Sequence, residues 1–157
     1  MSKTGLAHGR MAYSYRDDSS VPAFDDTAPI IVFDGTCVFC SAWARFVLHH
    51  DRECRFRMLT AQSLLGTALY RHYGLDERDY ETNLVITDGQ IAMKSEAALA
   101  VLEKLGMPWA LAGVLRIIPK RMRDWVYGHV ARNRYRIAGR KAECMVPTAE
   151  QRSRFIG

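Results

Sequence analysis

The chain has 157 residues, of which 48% are hydrophobic and 25% are charged, values typical of one globular domain. No apolar run reaches the roughly 20 residues needed to cross a bilayer, and four cysteines are too few for a disulfide-stabilised scaffold. Residues 1–28 are polar and lack the apolar core of a signal peptide. We therefore expect a flexible N-terminal tail over 1–28, a single domain over 29–157, and a cytoplasmic protein.

The formal net charge of +5 is concentrated near the C-terminus. Residues 116–141 contain nine Lys and Arg residues and one acid, Asp124, whereas residues 1–115 carry a small negative charge. This basic segment predicts either a solvated helix face or a contact site for an acidic partner or an anionic membrane surface. Nucleic acid is a weaker match, because only Tyr127 and Tyr135 could stack on bases there.

The first half of the chain predicts two strands and a helix. Residues 30–33 are apolar and rich in β-branching, which favours a strand buried on both faces. From Cys37 to His50 the apolar residues recur at helical spacing. Residues 54–59 alternate between apolar side chains and Arg, as in a half-buried strand nearer the sheet edge, and this pattern predicts that Cys54 belongs to the core.

The next segment predicts a helix and a hairpin. Ser63 is a suitable N-cap and Gly74 a suitable C-terminal residue for one helix. Residues 83–87 and 90–93 have strand composition, and Asp88-Gly89 between them is a strong two-residue hairpin signal. These two strands should therefore pair antiparallel.

A capped helix over 96–105, with Ser95 as N-cap, completes the order β-α-β-α-β-β-α. The first two strands should be parallel, because a helix joins them through a right-handed crossover. The order predicts an α/β fold in which helices flank a four-stranded mixed sheet, the thioredoxin-like arrangement. Two extra C-terminal helices are expected, one over 108–118 and one starting at Pro119.

The pair Cys37 and Cys40 lies where the first strand gives way to a helix. Unpaired N–H groups and the positive end of the helix dipole favour a thiolate there. We assign Cys37 as an accessible nucleophile and Cys40 as the resolving thiol, with no cofactor. The alternatives are a zinc or iron–sulfur site, for which only Cys54 and Cys144 supply further thiols, or a pair without chemistry.

Three other residues have two interpretations each. Asp34 is either a turn aspartate that accepts backbone N–H groups or a proton acceptor for the thiols. Trp43, one turn beyond Cys40, belongs either to the core or to a substrate groove. Cys144, in a loop-like segment, is either a structural thiol or a group near the dithiol.

These motifs resemble those of the DCC family of predicted thiol-disulfide oxidoreductases. Residues 34–40 match its D-G-x-C-x-x-C signature, residues 95–99 resemble its S-x-A-A/L helix start, and residues 131–147 resemble its N-R-Y, G-R, C and P ending. The resemblance implies a thioredoxin-like fold and dithiol chemistry. It also suggests that a set of further residues gathers near the dithiol: Asp34, Arg134, Tyr135, Arg136 and Cys144.

One position departs from thioredoxins, in which a cis-proline before the third strand docks the substrate backbone. Here the chain reads Glu81-Thr82-Asn83, so Thr82 is expected to line the site and substrate docking to differ. The expected substrate is a disulfide-containing protein or a small thiol. The open alternatives are a metal- or cluster-binding protein using the same cysteines and an interaction module that uses the basic C-terminal surface.

Overall fold

The computed structural model describes residues 15–78, 80 and 82–156. The elements in chain order are β1 (Ile30–Phe33), α1 (Val38–His50), β2 (Arg57–Thr60), α2 (Leu64–His72), β3 (Leu84–Thr87), β4 (Gln90–Met93), α3 (Lys94–Lys104) and α4 (Lys120–Ala138). Short 3₁₀ helices lie at Tyr15–Asp17, Trp109–Ile117 and Arg152–Arg154.

The four strands form one mixed sheet in the order β2-β1-β3-β4. β1 pairs parallel with β2 and antiparallel with β3, and β4 completes the hairpin. Every residue of β1 is buried, as its uninterrupted apolar sequence predicts for a central strand. The predicted α/β, thioredoxin-like architecture is confirmed.

The sheet separates two hydrophobic clusters because successive β1 side chains point to opposite faces. Ile30 and Val32 pack with Leu69 and Tyr70 of α2. Ile31 and Phe33 pack on the other face, with side chains from α1 and α3: Ala44, Val47, Ala97 and Val101. Burying each large aliphatic side chain contributes about 1.5–3 kcal/mol, so β1 holds both layers and fixes the position of its C-terminal end.

The prediction of a flexible tail over residues 1–28 is wrong for its second half. Tyr15 and Val21 are buried in the core, and the Tyr15 ring stacks on Phe24. The buried His72 side chain lies at hydrogen-bonding distance from Asp18, with Nδ1 and Oδ2 2.6 Å apart. These contacts are isolated in sequence and have no periodicity, so only the folded sheet reveals them. Residues 1–14 lie outside the described residues.

Cys54 is also placed differently from its prediction: it is exposed, with φ of 52°, in the turn after α1. The Asp51 carboxylate accepts the N–H groups of Arg55 and Phe56 at 3.0 and 2.8 Å. This side chain holds the turn, and β2 therefore begins later than the alternation in sequence indicates.

The C-terminal addition does not consist of two α-helices, as the sequence predicts, because its first helix is the 3₁₀ helix Trp109–Ile117. It leaves large apolar side chains in solvent, among them Ile117 at 83% exposure, as does α4 with Trp125 at 68%. Helix α4 packs against α1 and α3, which brings its C-terminal half to the start of α1. Within the described part of the chain, no helix is long and apolar enough to span a membrane.

Candidate functional site

The dithiol lies at the N-terminus of α1, where the central strand ends. Cys37 is the N-cap residue, and its Sγ accepts a hydrogen bond from the Cys40 N–H at 3.1 Å. The Cys37 carbonyl meanwhile accepts from the Ser41 N–H at 2.9 Å. An N-cap sulfur in this geometry satisfies a backbone donor that the helix itself leaves without a partner.

The pKa values of the two thiols are shifted in opposite directions. The hydrogen bond from the Cys40 thiol lowers the pKa of Cys37 to about 7, with the Cys40 N–H and Arg134 acting in the same direction and burial and Asp34 opposing them. The hydrogen bond to Cys37, followed by burial, raises the pKa of Cys40. The first proton is therefore lost from Cys37, near neutral pH, while Cys40 keeps its proton.

The expectation that Cys37 is accessible is wrong for this conformation, since its exposure is 0%. Residues 139–145, here called the strap, run beside residues 35–38. The Val38 N–H donates to the Gly139 carbonyl, the Lys141 N–H to Thr36 and the Met145 N–H to Gly35, at 3.3, 2.7 and 2.8 Å. Gly139, with φ of 88°, provides the reversal after α4 that makes this return possible.

Cys40, in contrast, is partly exposed and faces a cavity of about 270 Å³. Most of the cavity wall is apolar, and its aromatic members come from three parts of the chain: Phe39, Trp43, Tyr80 and Tyr127. Sequence reasoning missed Tyr80 and Tyr127 as lining residues. The spacing of Tyr127 could have indicated this position, because Tyr127 lies seven residues before Arg134 and therefore on the same face of α4.

Asp34 is buried, with 2% exposure, and accepts hydrogen bonds at both oxygens. Oδ1 accepts from the Thr36 N–H, the Thr36 hydroxyl and Gln62 Nε2 at 2.9, 2.8 and 2.6 Å. Oδ2 accepts from the Tyr135 hydroxyl at 2.5 Å and from Arg134 Nη2 at 3.5 Å.

Burial by itself would raise the pKa of Asp34, but the hydrogen bonds from Tyr135, Thr36 and Gln62 outweigh it and leave the pKa below its ordinary value. A carboxylate that is held charged and saturated with donors is a poor proton acceptor. The geometry therefore favours the turn-aspartate interpretation, with Asp34 also anchoring α4 through Tyr135 and Arg134.

The structure brings most of the suggested site residues together. Arg134 is 3% exposed, and its guanidinium carbon lies 4.4 Å from the centre of the Tyr135 ring. Cys144 packs beside Gly35, where an added Cβ would lie 3.4 Å from the Cys144 Cβ. Burial and Asp34 raise the pKa of Cys144, so this thiol is less reactive than Cys37.

Two predicted members are placed differently. Arg136 is exposed and, within the described part of the chain, makes no hydrogen bond or ion pair with Asp34 or the dithiol. Thr82 is not among the cavity-lining residues, and its carbonyl accepts the Tyr70 hydroxyl at 2.5 Å. Trp43 does line the cavity, and it stacks on Phe46 with ring centroids 5.6 Å apart.

Metal ligation was the main alternative use of the cysteines. Over residues 15–78, 80 and 82–156, no group of three or more His, Cys, Asp and Glu side chains is arranged to hold a metal ion. In the described residues, the metal-binding alternative therefore rests on the dithiol alone.

Known proteins match this chain over most of its length. A family model described as DCC1-like thiol-disulfide oxidoreductase matches residues 31–140. Uncharacterized protein YuxK of Bacillus subtilis is 35% identical over 127 residues, which cover 81% of this chain and 93% of that protein. DCC family protein At1g52590, chloroplastic, of Arabidopsis thaliana is 34% identical over 121 residues, which cover 76% and 70%. No solved structure matches the chain significantly.

Proposed function

Because the chain belongs to the DCC1-like thiol-disulfide oxidoreductase family, we propose that it catalyses thiol–disulfide exchange through Cys37 and Cys40. The observation that carries this proposal is the hydrogen bonding of Cys40 to the Cys37 sulfur at the helix N-terminus. It lowers the pKa of Cys37 to about 7, and a thiolate with a pKa near ambient pH is the best attacking thiol.

The exchange balances with two electrons and two protons. The Cys37 thiolate attacks one sulfur of the substrate disulfide, the substrate S–S bond breaks, and the departing thiolate takes the proton of Cys40. The resulting Cys40 thiolate attacks Cys37 in the mixed disulfide and forms the Cys37–Cys40 bond. The second substrate thiolate leaves and is protonated by solvent, so the substrate is reduced and the dithiol is oxidised.

The surrounding residues position this dithiol. Arg134 lowers the pKa of Cys37, and its contact with Asp34, together with that of Tyr135, ties α4 to the loop that ends in Cys37. Since Cys37 is sealed in the described conformation, the first step requires the strap to move away from residues 36–38.

Trapping of the mixed disulfide tests the proposal. The protein should carry Cys54→Ser and Cys144→Ser, because both of these thiols are exposed and would react by themselves. In this background Cys40→Ser should accumulate an adduct of one substrate half at Cys37, detected by mass spectrometry, whereas Cys37→Ser should accumulate none. If an adduct accumulates in Cys37→Ser and not in Cys40→Ser, the two roles are reversed. If the protein with both Cys37 and Cys40 reduces no disulfide, the exchange is refuted.

The basic segment 116–141 is retained as a proposed contact for an acidic partner or an anionic membrane surface, and the cytoplasm as the proposed compartment. Exposed Ile117 and Trp125 beside basic residues support the surface contact. Part of the positive charge is used within the domain, since Arg116 pairs with Glu96 and Glu103. Four cysteines in 157 residues are too few for the disulfide scaffold typical of small secreted proteins, which supports the cytoplasm.

A further inference from the structure

We infer that the cavity beside Cys40 binds the substituent of a small, uncharged, apolar disulfide, so that the substrate is a small molecule and not an extended peptide. This inference rests on the proposed exchange and specifies which disulfides it accepts. Three observations carry it: the chemistry of the cavity wall, the engagement of the loop before β3, and an unpaired donor on Trp43.

The wall of the cavity suits an uncharged aromatic or aliphatic group. At about 270 Å³ the cavity is close to the lower limit of roughly 300 Å³ for small-ligand pockets. Among the described lining residues the only charged side chains are Asp34 and Arg134, which are buried and in contact with each other. A charged substrate group would be desolvated there without a matching partner, at a high cost in free energy.

Thr82 and Asn83, which directly precede β3, already use main-chain groups for hydrogen bonds within the domain. The Thr82 carbonyl accepts the Tyr70 hydroxyl at 2.5 Å, and the Asn83 N–H donates to the Tyr127 hydroxyl at 3.0 Å. The Asn83 carbonyl accepts the Lys94 N–H at 3.4 Å. An extended peptide docks through main-chain hydrogen bonds, and at Asn83 the donor it would need is already bonded. This engagement disfavours the thioredoxin mode of peptide docking.

Trp43 adds a specific polar contact. Its indole nitrogen is buried and has no acceptor within the described residues, although the ring lines the cavity. A buried donor without an acceptor is costly, and rotation of the indole ring toward the cavity would let an acceptor atom on a bound ligand remove that cost. The preferred substituent is therefore an aromatic ring with one acceptor, such as a pyridine ring.

Substrate preference is tested with two disulfides of contrasting chemistry, the uncharged 4,4′-dithiodipyridine and the charged oxidised glutathione. For each disulfide, the rate constant of its reduction by the Cys54→Ser/Cys144→Ser protein is divided by the rate constant of its reduction by dithiothreitol. This ratio corrects for the intrinsic reactivity of the disulfide. Ala98 lines the cavity, so Ala98→Leu should slow the pyridine disulfide by about tenfold and change glutathione by less than about twofold. Ala42→Leu, on the exposed side of α1, is the matched control and should change neither rate.

Binding is tested separately from exchange in the Cys37→Ser/Cys40→Ser variant. The probe is 1,2-di(4-pyridyl)ethane, in which two carbons replace the disulfide sulfurs. Its addition should produce a saturable shift of the Trp43 indole N–H signal, assigned through Trp43→Phe. This inference is overturned, while the exchange stands, if the probe does not bind and Ala98→Leu fails to discriminate between the disulfides. Ala98→Leu fails to discriminate if it slows the reduction of both disulfides equally or of neither disulfide. If the probe binds but neither disulfide is reduced, the exchange fails and the binding site stands.

Discussion

The two cysteines occupy one helical turn and have opposite surroundings. Cys37 carries the lowered pKa and is fully buried beside the strap, whereas Cys40 has a raised pKa and faces the cavity. The sequence predicts that Cys37 is both the thiolate and the accessible thiol, but in the structure the lowered pKa belongs to Cys37 and the exposure to Cys40. The difference arises because one sulfur caps the helix and lies against the strap, while the other lies one turn further and points between α1 and α4.

This division has a consequence for reactivity. A thiolate that is sealed from solvent is protected from unspecific oxidation, since susceptibility follows both thiolate character and exposure. A protonated thiol beside the cavity is inert until Cys37 has reacted.

The largest effect is expected from Arg134→Leu. It leaves the buried Asp34 carboxylate without its guanidinium contact, and breaking one partner of a buried ion pair costs about 3 kcal/mol of unfolding free energy. Arg136→Leu is the matched control, two residues along α4 and exposed, and should change stability by less than about 0.5 kcal/mol. Urea unfolding measures both, and equal effects would show that the pair does not anchor α4.

The second effect is a pH dependence of stability due to Cys37. Its pKa falls from 9.0 in the unfolded chain to about 7 in the folded protein, so the folded state binds this proton less tightly. The stabilisation therefore appears as pH rises through 7, is complete above 9, and is lost as pH falls below 7. The difference in unfolding free energy between the reduced protein and Cys37→Ser should grow by about 2 kcal/mol across this range.

Cys144→Ser serves as the control for this titration. The pKa of Cys144 is raised in the folded protein, so its contribution cannot increase with pH. A constant difference between the parent protein and Cys37→Ser, measured by denaturant unfolding in the presence of reductant, contradicts the assignment of the thiolate to Cys37.

The smallest effect concerns the strap. Lys141→Pro removes the N–H that donates to the Thr36 carbonyl, while Lys141→Ala retains it. Loss of one hydrogen bond worth about 0.5–1.5 kcal/mol should raise the population of the open strap up to about tenfold. Alkylation of Cys37 by iodoacetamide, in the Cys54→Ser/Cys144→Ser background, should accelerate by that factor in the proline variant alone. If both variants react at the parental rate, the strap is not what seals Cys37.

Local patterns in the sequence predicted the elements that depend on local physics. The buried strand at residues 30–33, the hairpin at Asp88-Gly89 and the helix that starts at the dithiol all depend on side-chain periodicity or on turn geometry. The errors come from side-chain hydrogen bonds, which hydrophobic periodicity does not register. Asp51, for example, bonds the turn after α1 and thereby moves Cys54 out of the core.

The sequence by itself therefore determined the order of the elements, the sheet they can form and the position of two cysteines at a helix start, because these follow from the spacing of neighbouring residues. Only the tertiary structure decided which sulfur is sealed and which faces a cavity. The family resemblance suggested that Asp34 and Tyr135 gather near the dithiol, but their hydrogen bond joins residues about a hundred positions apart, and the strap returns to Cys37 after the whole of α4. Contacts over such separations exist only once the intervening chain has packed, so no local pattern encodes them.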